Sequence, residues 1–402
     1  MLKKDNFFKN NFVNSKKYYE NIKKTKKIYN SFLIDLKNFK IPLLESYEKD
    51  YEFAFSTATV KKFSRYKNIV IIGMGGSILG TKSIYSFLKE KIKKNVFFFD
   101  NLDPNLFLIY KKIKNLKNSC FIVAGKSGKT IETIINLGII FSKNLLKNKL
   151  IIIAESTDNA LITIANKYHA EVIEHKGFIS GRYSVLSETG MFPAALMGLN
   201  LMKFKNLKRL IKNKNFISTL IQDVACIYTL ISKKINNSVI LNYDSNLNDL
   251  GYWYQQLVAE SLGKKGKGIN PILSFGPKDH HSLLQLYLDG PKDKFFTFIN
   301  STQKEDRFKV SQDIIPNNMR FLKNKNLRFI INAQCNAVKN IFKLKKIPFR
   351  QITFNKKNEE ELGEIFTFFV IETILLSRLM NINPFDQPAV EQVKIETKNI
   401  LR

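Results

Sequence analysis

A carboxylate, an arginine, a histidine pair and two lysines stand in this chain in settings where side chains could do chemistry. The turn Val123-Ala-Gly-Lys-Ser-Gly-Lys-Thr-Ile-Glu-Thr133 is the most informative of these settings. The apolar run 120–124 reads as a buried strand, and a helix-like segment, 131–146, follows it. Such a turn aims backbone N–H groups, the Ser127 and Thr130 hydroxyls and the Lys126 ammonium at one point. The positive end of the helix dipole faces the same point, which suits a phosphate. A Walker loop is excluded, because the position five before Gly128 is Val123 rather than glycine. A second strand-to-turn passage, 69–72 followed by Gly73-Met-Gly-Gly-Ser-Ile-Leu-Gly80, places Gly76 and Ser77 at the start of another helix. The two turns predict neighbouring strand ends lining one crevice, where open parallel sheets bind ligands.

Proton chemistry needs further groups. In Gln255-Gln-Leu-Val-Ala-Glu260, Gln256 and Glu260 stand at helical i, i+4 spacing on one face. Gly181-Arg-Tyr-Ser184 sets Arg182 after a glycine and close to apolar residues. Asp279-His-His-Ser282 contains two of the four histidines. Asn383-Pro-Phe-Asp-Gln387 leads on to Lys394. Taken singly, each has a plain alternative: a surface carboxylate, a structural ion pair, a chance pair of histidines, a solvated lysine.

Taken in order, these segments resemble the phosphoglucose isomerase (glucose-6-phosphate isomerase) family of the sugar-isomerase domain superfamily, from about residue 66 to 396. The resemblance rests on Gly-Gly-Ser at 75–77, Lys-Ser-Gly-Lys-Thr-Ile-Glu-Thr at 126–133 and Gly-Arg-Tyr-Ser at 181–184. It continues with Glu-Ser-Leu-Gly-Lys at 260–264, His-Ser-Leu-Leu-Gln at 281–285 and Asn-Pro-Phe-Asp-Gln-Pro at 383–388 with Glu391 and Lys394. It implies an aldose–ketose isomerase interconverting glucose 6-phosphate and fructose 6-phosphate by ring opening and an enediolate. Glu260 then matches the base, His281 the ring-opening histidine, Glu132 the carboxylate that orients it, Lys394 a lysine assisting at the ring oxygen, and Arg182 the cation beside the enediolate. Gly76, Ser77, Gly125, Lys126, Ser127, Thr130, Gln256 and Gln387 match contacts to phosphate and sugar. His280 stands where the family usually has glutamine, and Gly125 where it usually has serine. The resemblance further implies a homodimer with shared active sites, with the histidine of one subunit completing the other's site. A bifunctional phosphoglucose/phosphomannose isomerase and a non-enzymatic sugar-phosphate-sensing regulator are the alternatives. The regulator would be expected to lack the base or the histidine.

The chemistry asks for these residue types. Removing a proton beside a carbonyl takes a held carboxylate and a partner for the developing oxyanion. A guanidinium supplies that partner without losing its charge. No cofactor is expected, and no metal, since His280-His281 lacks a third ligand at recognisable spacing.

The elements that must position these groups follow from patterning. At 402 residues, 44% of them hydrophobic, the chain can build two substantial cores. Buried strands are predicted at 68–72, 96–100, 119–124, 150–154 and 171–173, and again at 238–243, 295–299, 328–331 and 350–353. Helices alternate with them, which predicts α/β architecture: two doubly wound parallel-sheet domains. The division expected is a helical N-terminal extension 1–55, α/β domains 56–205 and 206–375, and a C-terminal helical tail 376–402. A long helix is predicted over 359–380, stopped by Asn383-Pro384. No apolar run approaches a membrane span and no signal core leads the chain, so a cytoplasmic protein with no membrane partner is expected. The three cysteines form no motif. The net charge of +31 is spread along the chain, as at Lys61-Lys62, Lys233-Lys234 and Lys345-Lys346, and is read as codon bias. No specific nucleic-acid partner is expected.

Overall fold

The computed structural model describes residues 3–12, 15–113, 116–140, 149–302 and 309–402. Two five-stranded sheets organise it. The first contains β2 (Asn68–Gly73), β3 (Asn95–Phe99), β4 (Ser119–Ala124), β5 (Leu150–Ala154) and β6 (Glu171–Glu174), in the order β3-β2-β4-β5-β6 and parallel throughout. Its inner strands β2, β4 and β5 are buried at every residue. That is why they read as unbroken apolar runs rather than alternating ones. The second sheet has the order β1-β10-β9-β7-β8. Here β7 (Asn237–Asn242), β8 (Asn270–Phe275), β9 (Lys294–Ser301) and β10 (Phe349–Phe354) are parallel. The short β1 (Lys3–Asn6) is added antiparallel at the edge of β10.

Side-chain alternation assigns the two faces of each sheet. Ile69 and Ile71 of β2 join one large core that also takes Ile240, Ile299 and Ile352 from the second sheet. Val70 and Ile72 face a separate outer cluster with Phe121 and Val123. Val239, Leu241, Phe296 and Phe298 do the same on the far side of the second sheet. A shared middle layer of helices therefore joins the two sheets. Its axis is the helix Glu359–Met380, buried along almost its whole length. Asn358 caps it by accepting from the Glu361 N–H at 2.9 Å, three glutamates occupy its first turn, and Asn381 ends it at φ 53°.

The expected strands of the first sheet are all present, and so are those at 238–243, 295–299 and 350–353, with ends shifted by a residue or two. The segment 328–331 is a correction. It opens the helix Leu327–Leu344, where the Asn326 side chain accepts from the Phe329 N–H at 2.7 Å. A four-residue apolar run does not distinguish strand from helix, and the cap decides it. The strand β8 went unforeseen because Pro271 interrupts its pattern. It is an edge strand, where proline is tolerated. Of the helix expected at 131–146, Ile131–Ile140 is described, and 141–148 lie outside the described residues.

The extension is not wholly helical, since it begins with β1. Its helix Lys16–Lys37 lies on the second half of the chain, where the Asn21 amide donates to Thr229 Oγ1 at 2.9 Å. The residues after that helix reach the first half. Tyr47 donates to the Tyr183 carbonyl at 3.1 Å, and Tyr51 to the Glu188 carboxylate at 2.9 Å. The expected boundary between 375 and 376 falls inside the continuous helix Glu359–Met380.

Candidate active site

Strands β2 and β4 are neighbours, with Gly73 opposite Ala124, so the glycine turn and the lysine turn leave the sheet side by side. The first turn bends at Gly75, φ 52°, and runs into the helix Gly76–Leu88 with Ser77 buried in its opening turn. A Cβ on Gly76 would lie 2.1 Å from the Gly181 carbonyl carbon and 2.4 Å from the Arg182 nitrogen. The glycine there lets the loop carrying Arg182 pass directly over the start of this helix. In the second turn Gly128 stands at φ 63°, where a Cβ would strike Asn159, and its N–H donates to the Gly125 carbonyl at 3.1 Å. Ser127 and Thr130 are in this turn. Lys126 donates to the Gly177 carbonyl at 2.6 Å and pairs with Glu155 at 3.6 Å.

The second domain contributes the helix Asn248–Leu262, which packs against Gly76–Leu88. It brings Gln256 and Glu260 to the same crevice. Gln256 Nε2 donates to Glu260 Oε1 at 2.8 Å, and a Cβ on Gly75 would come 2.8 Å from that amide nitrogen. Arg182 is only 1% exposed, and all five of its guanidinium N–H donors have acceptors. Nη1 donates to Glu260 Oε2 at 3.2 Å and to Gln387 Oε1 at 2.5 Å. Nε donates to Ser261 Oγ at 2.9 Å, while Nη2 donates to the Pro384 and Asp386 carbonyls at 2.5 and 3.1 Å. The Glu260 side chain keeps 33% of its surface open, so the carboxylate faces both the guanidinium and the crevice.

Several residues that hold this cluster were not singled out as site residues in the sequence. The Tyr183 hydroxyl lies 2.8 Å from Ser261 Oγ, and burial pushes its pKa up. Lys264 donates to the Asn383 carbonyl and to Asp386 at 2.8 Å, and this hydrogen bond holds the Asp386 carboxyl below its ordinary value. Lys264 thereby ties the 383–387 loop to the helix bearing the carboxylate. The motifs Glu-Ser-Leu-Gly-Lys and Asn-Pro-Phe-Asp-Gln contain these residues, and their contact is what fuses the two segments into one site.

Three expected site residues stand apart. His281 is exposed and makes no side-chain hydrogen bond among the described residues. Its neighbour His280 is half-buried, and its Nε2 lies 2.7 Å from the Tyr243 hydroxyl. Burial lowers the pKa of His280, and the nearby His281 adds to this. Glu132 is half-buried on the first turn of its helix and has no contact with His281. Lys394 pairs with Glu391 at 2.5 Å on the helix Val390–Ile400, which buries none of its residues. Among the described residues no three His, Cys, Asp or Glu side chains gather as a metal site, and Cys120, Cys226 and Cys335 are buried free thiols. Among the described residues one helix, Lys214–Ser232, is long and apolar enough to cross a membrane, yet more than half of it is buried in the core.

Residues 53–402 match the family described as phosphoglucose isomerase. A glucose-6-phosphate isomerase of Methanocaldococcus jannaschii is 33% identical over 345 residues, covering 83% of this chain and 84% of its own. One from Mycoplasmopsis synoviae is 29% identical over 421 residues, covering 98% and 96%. Among solved structures, a hypothetical protein from Thermus thermophilus superposes with a TM-score of 0.84 at 21% identity over the whole of both chains. A glucose-6-phosphate isomerase from Chlamydia trachomatis gives 0.72 at 17% identity, covering 86% of this chain and 71% of its own. Two sheets joined through a shared helical layer are thus a fold this chain has in common with solved relatives, and its sequence matches one family over nearly its full length. The chain belongs to the phosphoglucose isomerase family.

Proposed function

We propose that this chain interconverts glucose 6-phosphate and fructose 6-phosphate, an intramolecular aldose–ketose isomerisation. The observation that carries the reading is the Glu260–Arg182 pair, set at the same strand ends as the two phosphate-type turns. Glu260 takes the proton from C2 of the open-chain aldose and returns it at C1. Arg182, whose positive charge is permanent, lies beside the Glu260 carboxylate and through that charge favours the enediolate as it forms. The two turns cradle the phosphate: Ser77, Lys126, Ser127 and Thr130 through side chains and Gly76 through its backbone N–H, while Gly125, whose own N–H is taken by the Ile153 carbonyl at 3.0 Å, lines the turn without a side chain in the way. Gln256 holds one Glu260 oxygen and Gln387 sits on Arg182, so both keep the pair aligned.

Ring opening is assigned to His281, oriented by Glu132 and assisted by Lys394. In a single chain these groups do not meet Glu260. The exposure of His281 supports a homodimer in which each subunit lends its histidine to the other's site. Lys394 reaches a site when its exposed helix docks. The division proposed is an extension 1–55, two sugar-isomerase domains 56–205 and 206–375, and a tail 376–402 entered through the helix Glu359–Met380. The reaction is assigned to the cytoplasm, without membrane or specific nucleic-acid partners.

A coupled assay of fructose 6-phosphate conversion tests the reading, with mannose 6-phosphate run beside it. Conversion of fructose 6-phosphate to glucose 6-phosphate alone is the expected result. No turnover of any hexose phosphate would leave a binding protein instead. For the dimer, Glu260→Gln and His281→Asn proteins are mixed after dissociation. Recovery of activity supports shared sites, and an inactive mixture of assembled dimers refutes them.

A further inference from the structure

The lysine of the phosphate turn has a counter-charge of its own. Strands β4 and β5 end side by side, with Ala124 opposite Ile153, and the Glu155 N–H donates to the Lys126 carbonyl at 2.9 Å. This backbone bond fixes the two residues next to each other. Their side chains then converge, with Lys126 Nζ 3.6 Å from Glu155 Oε1. The Gly177 backbone closes the third side. Its carbonyl accepts from Lys126 at 2.6 Å, and a Cβ on Gly177 would lie 3.3 Å from Glu155 Oε1.

Two neighbouring titratable groups, Lys176 and His175, are turned elsewhere or neutral. Lys176 donates to the Glu52 carbonyl and stacks over the Tyr51 ring. His175 is buried, bonds the Lys176 carbonyl at 3.1 Å, and is pulled down to about 4, chiefly by burial with Lys126 adding to it. It is therefore neutral at pH 7. Among the described residues Glu155 is the one carboxylate paired with Lys126.

We propose that Glu155 is a positioning residue that sets the affinity for the phosphate group. In the empty site it holds Lys126 as a neutralised pair. When substrate binds, its carboxylate stays beside the phosphate and competes with it for the ammonium. This rests on the reading that Lys126 meets the substrate phosphate. The phosphate is the same in substrate, intermediate and product, so a contact to it is uniform binding: it moves KM and leaves kcat alone. A carboxylate placed there raises the KM for both sugar phosphates alike.

The test compares Glu155→Gln, which keeps the size and removes the charge, with Lys126→Ala and with the double variant. KM and kcat are measured in both directions, along with inhibition by inorganic phosphate. Glu155→Gln is expected to lower KM and to strengthen phosphate inhibition, each by about two- to fivefold, the worth of one partly exposed ion pair. Its kcat should be unchanged, and the gain should vanish in the Lys126→Ala background. If Lys126→Ala raises KM while Glu155→Gln raises it or leaves it unchanged, Glu155 merely orients the lysine, and this inference alone fails. If Lys126→Ala leaves KM unchanged, the phosphate reading of the turn fails, and the inference fails with it.

Discussion

Arg182 and Lys394 are both cations that the family resemblance places in the reaction, and their surroundings are opposite. Arg182 is buried, and its donors reach Glu260, Ser261, Gln387 and two carbonyls of the 383–387 loop. Lys394 lies on an exposed helix and pairs with a residue of its own turn. His281 resembles Lys394 in being exposed, and Glu132 resembles both in being detached. The groups assigned to C1–C2 proton transfer are therefore assembled within one chain, whereas those assigned to ring opening are not. Proton abstraction needs a carboxylate and an oxyanion partner held to a fraction of an ångström, which a buried network supplies. Ring opening can be completed by groups that arrive from another surface.

The sharpest way to break this contrast is Glu260→Gln. It preserves the hydrogen bond from Gln256 and removes the base. Turnover is expected to fall by about 10²–10⁴, with binding of sugar phosphate little changed. Near-normal turnover would show that the assembled pair is not the proton-transfer machinery.

A smaller and more selective loss is expected from His281→Asn. Turnover of the cyclic sugar should fall, while proton exchange on already open sugar, measured by solvent deuterium uptake at C1 or C2, should survive better. Glu132→Gln should give a weaker form of the same defect. Equal losses on both forms of substrate would mean that His281 acts in proton transfer and that the two groups are one.

Burial without partners sharpens the comparison from another side. Lys205 is as buried as Arg182, yet its ammonium has no hydrogen-bond partner among the described residues. It lies over the rings of Tyr51 and Phe53 at 4.3 and 4.1 Å. Burial pulls its pKa down to about 7, with Glu188 opposing. An unfolded lysine titrates near 10.4. Below about pH 7 the lysine is charged in both states and the full penalty applies, whereas above about 10.4 it is neutral in both and the penalty is gone. Stability should therefore rise between pH 7 and 10. Lys205→Met should raise the thermal midpoint at pH 7 by a few degrees and flatten that rise. An unchanged pH dependence would show that the cation–π contacts already offset its burial.

The smallest effect is expected from His280→Gln. A glutamine can keep the bond to the Tyr243 hydroxyl and so hold the turn that carries His281 outward. Turnover should stay within about twofold of the parent, far below the loss expected for a positioned acid–base group. A severe loss would exchange the roles assigned to the two histidines.

Much of this architecture was legible locally. The buried parallel strands β2, β4 and β5 are continuous apolar runs because both of their faces are covered. The helix Glu359–Met380 carries its cap, its acidic first turn and its left-handed stop in its own residues. The motifs around Ser77, Lys126, Arg182, Glu260 and Gln387 were likewise legible, in order, as a resemblance to one family. The edge strands of the second sheet were not legible, unlike β3 and β6 of the first: β1 is polar and β8 carries a proline, and both are held by backbone bonds to a neighbour that no local pattern announces. Nor was 328–331, where one capping asparagine outweighs a strand-like run.

What the tertiary structure alone decided is contact between distant segments. Gly76 meets Gly181, Lys264 binds the 383–387 loop, and Glu155 faces Lys126, each across many residues of sequence. It also decided which cations are enclosed and which stay in solvent. A motif records the chemistry a residue can do, because that depends on its own atoms. Burial and partnership depend on what the rest of the chain packs around it, and only the assembled fold contains that.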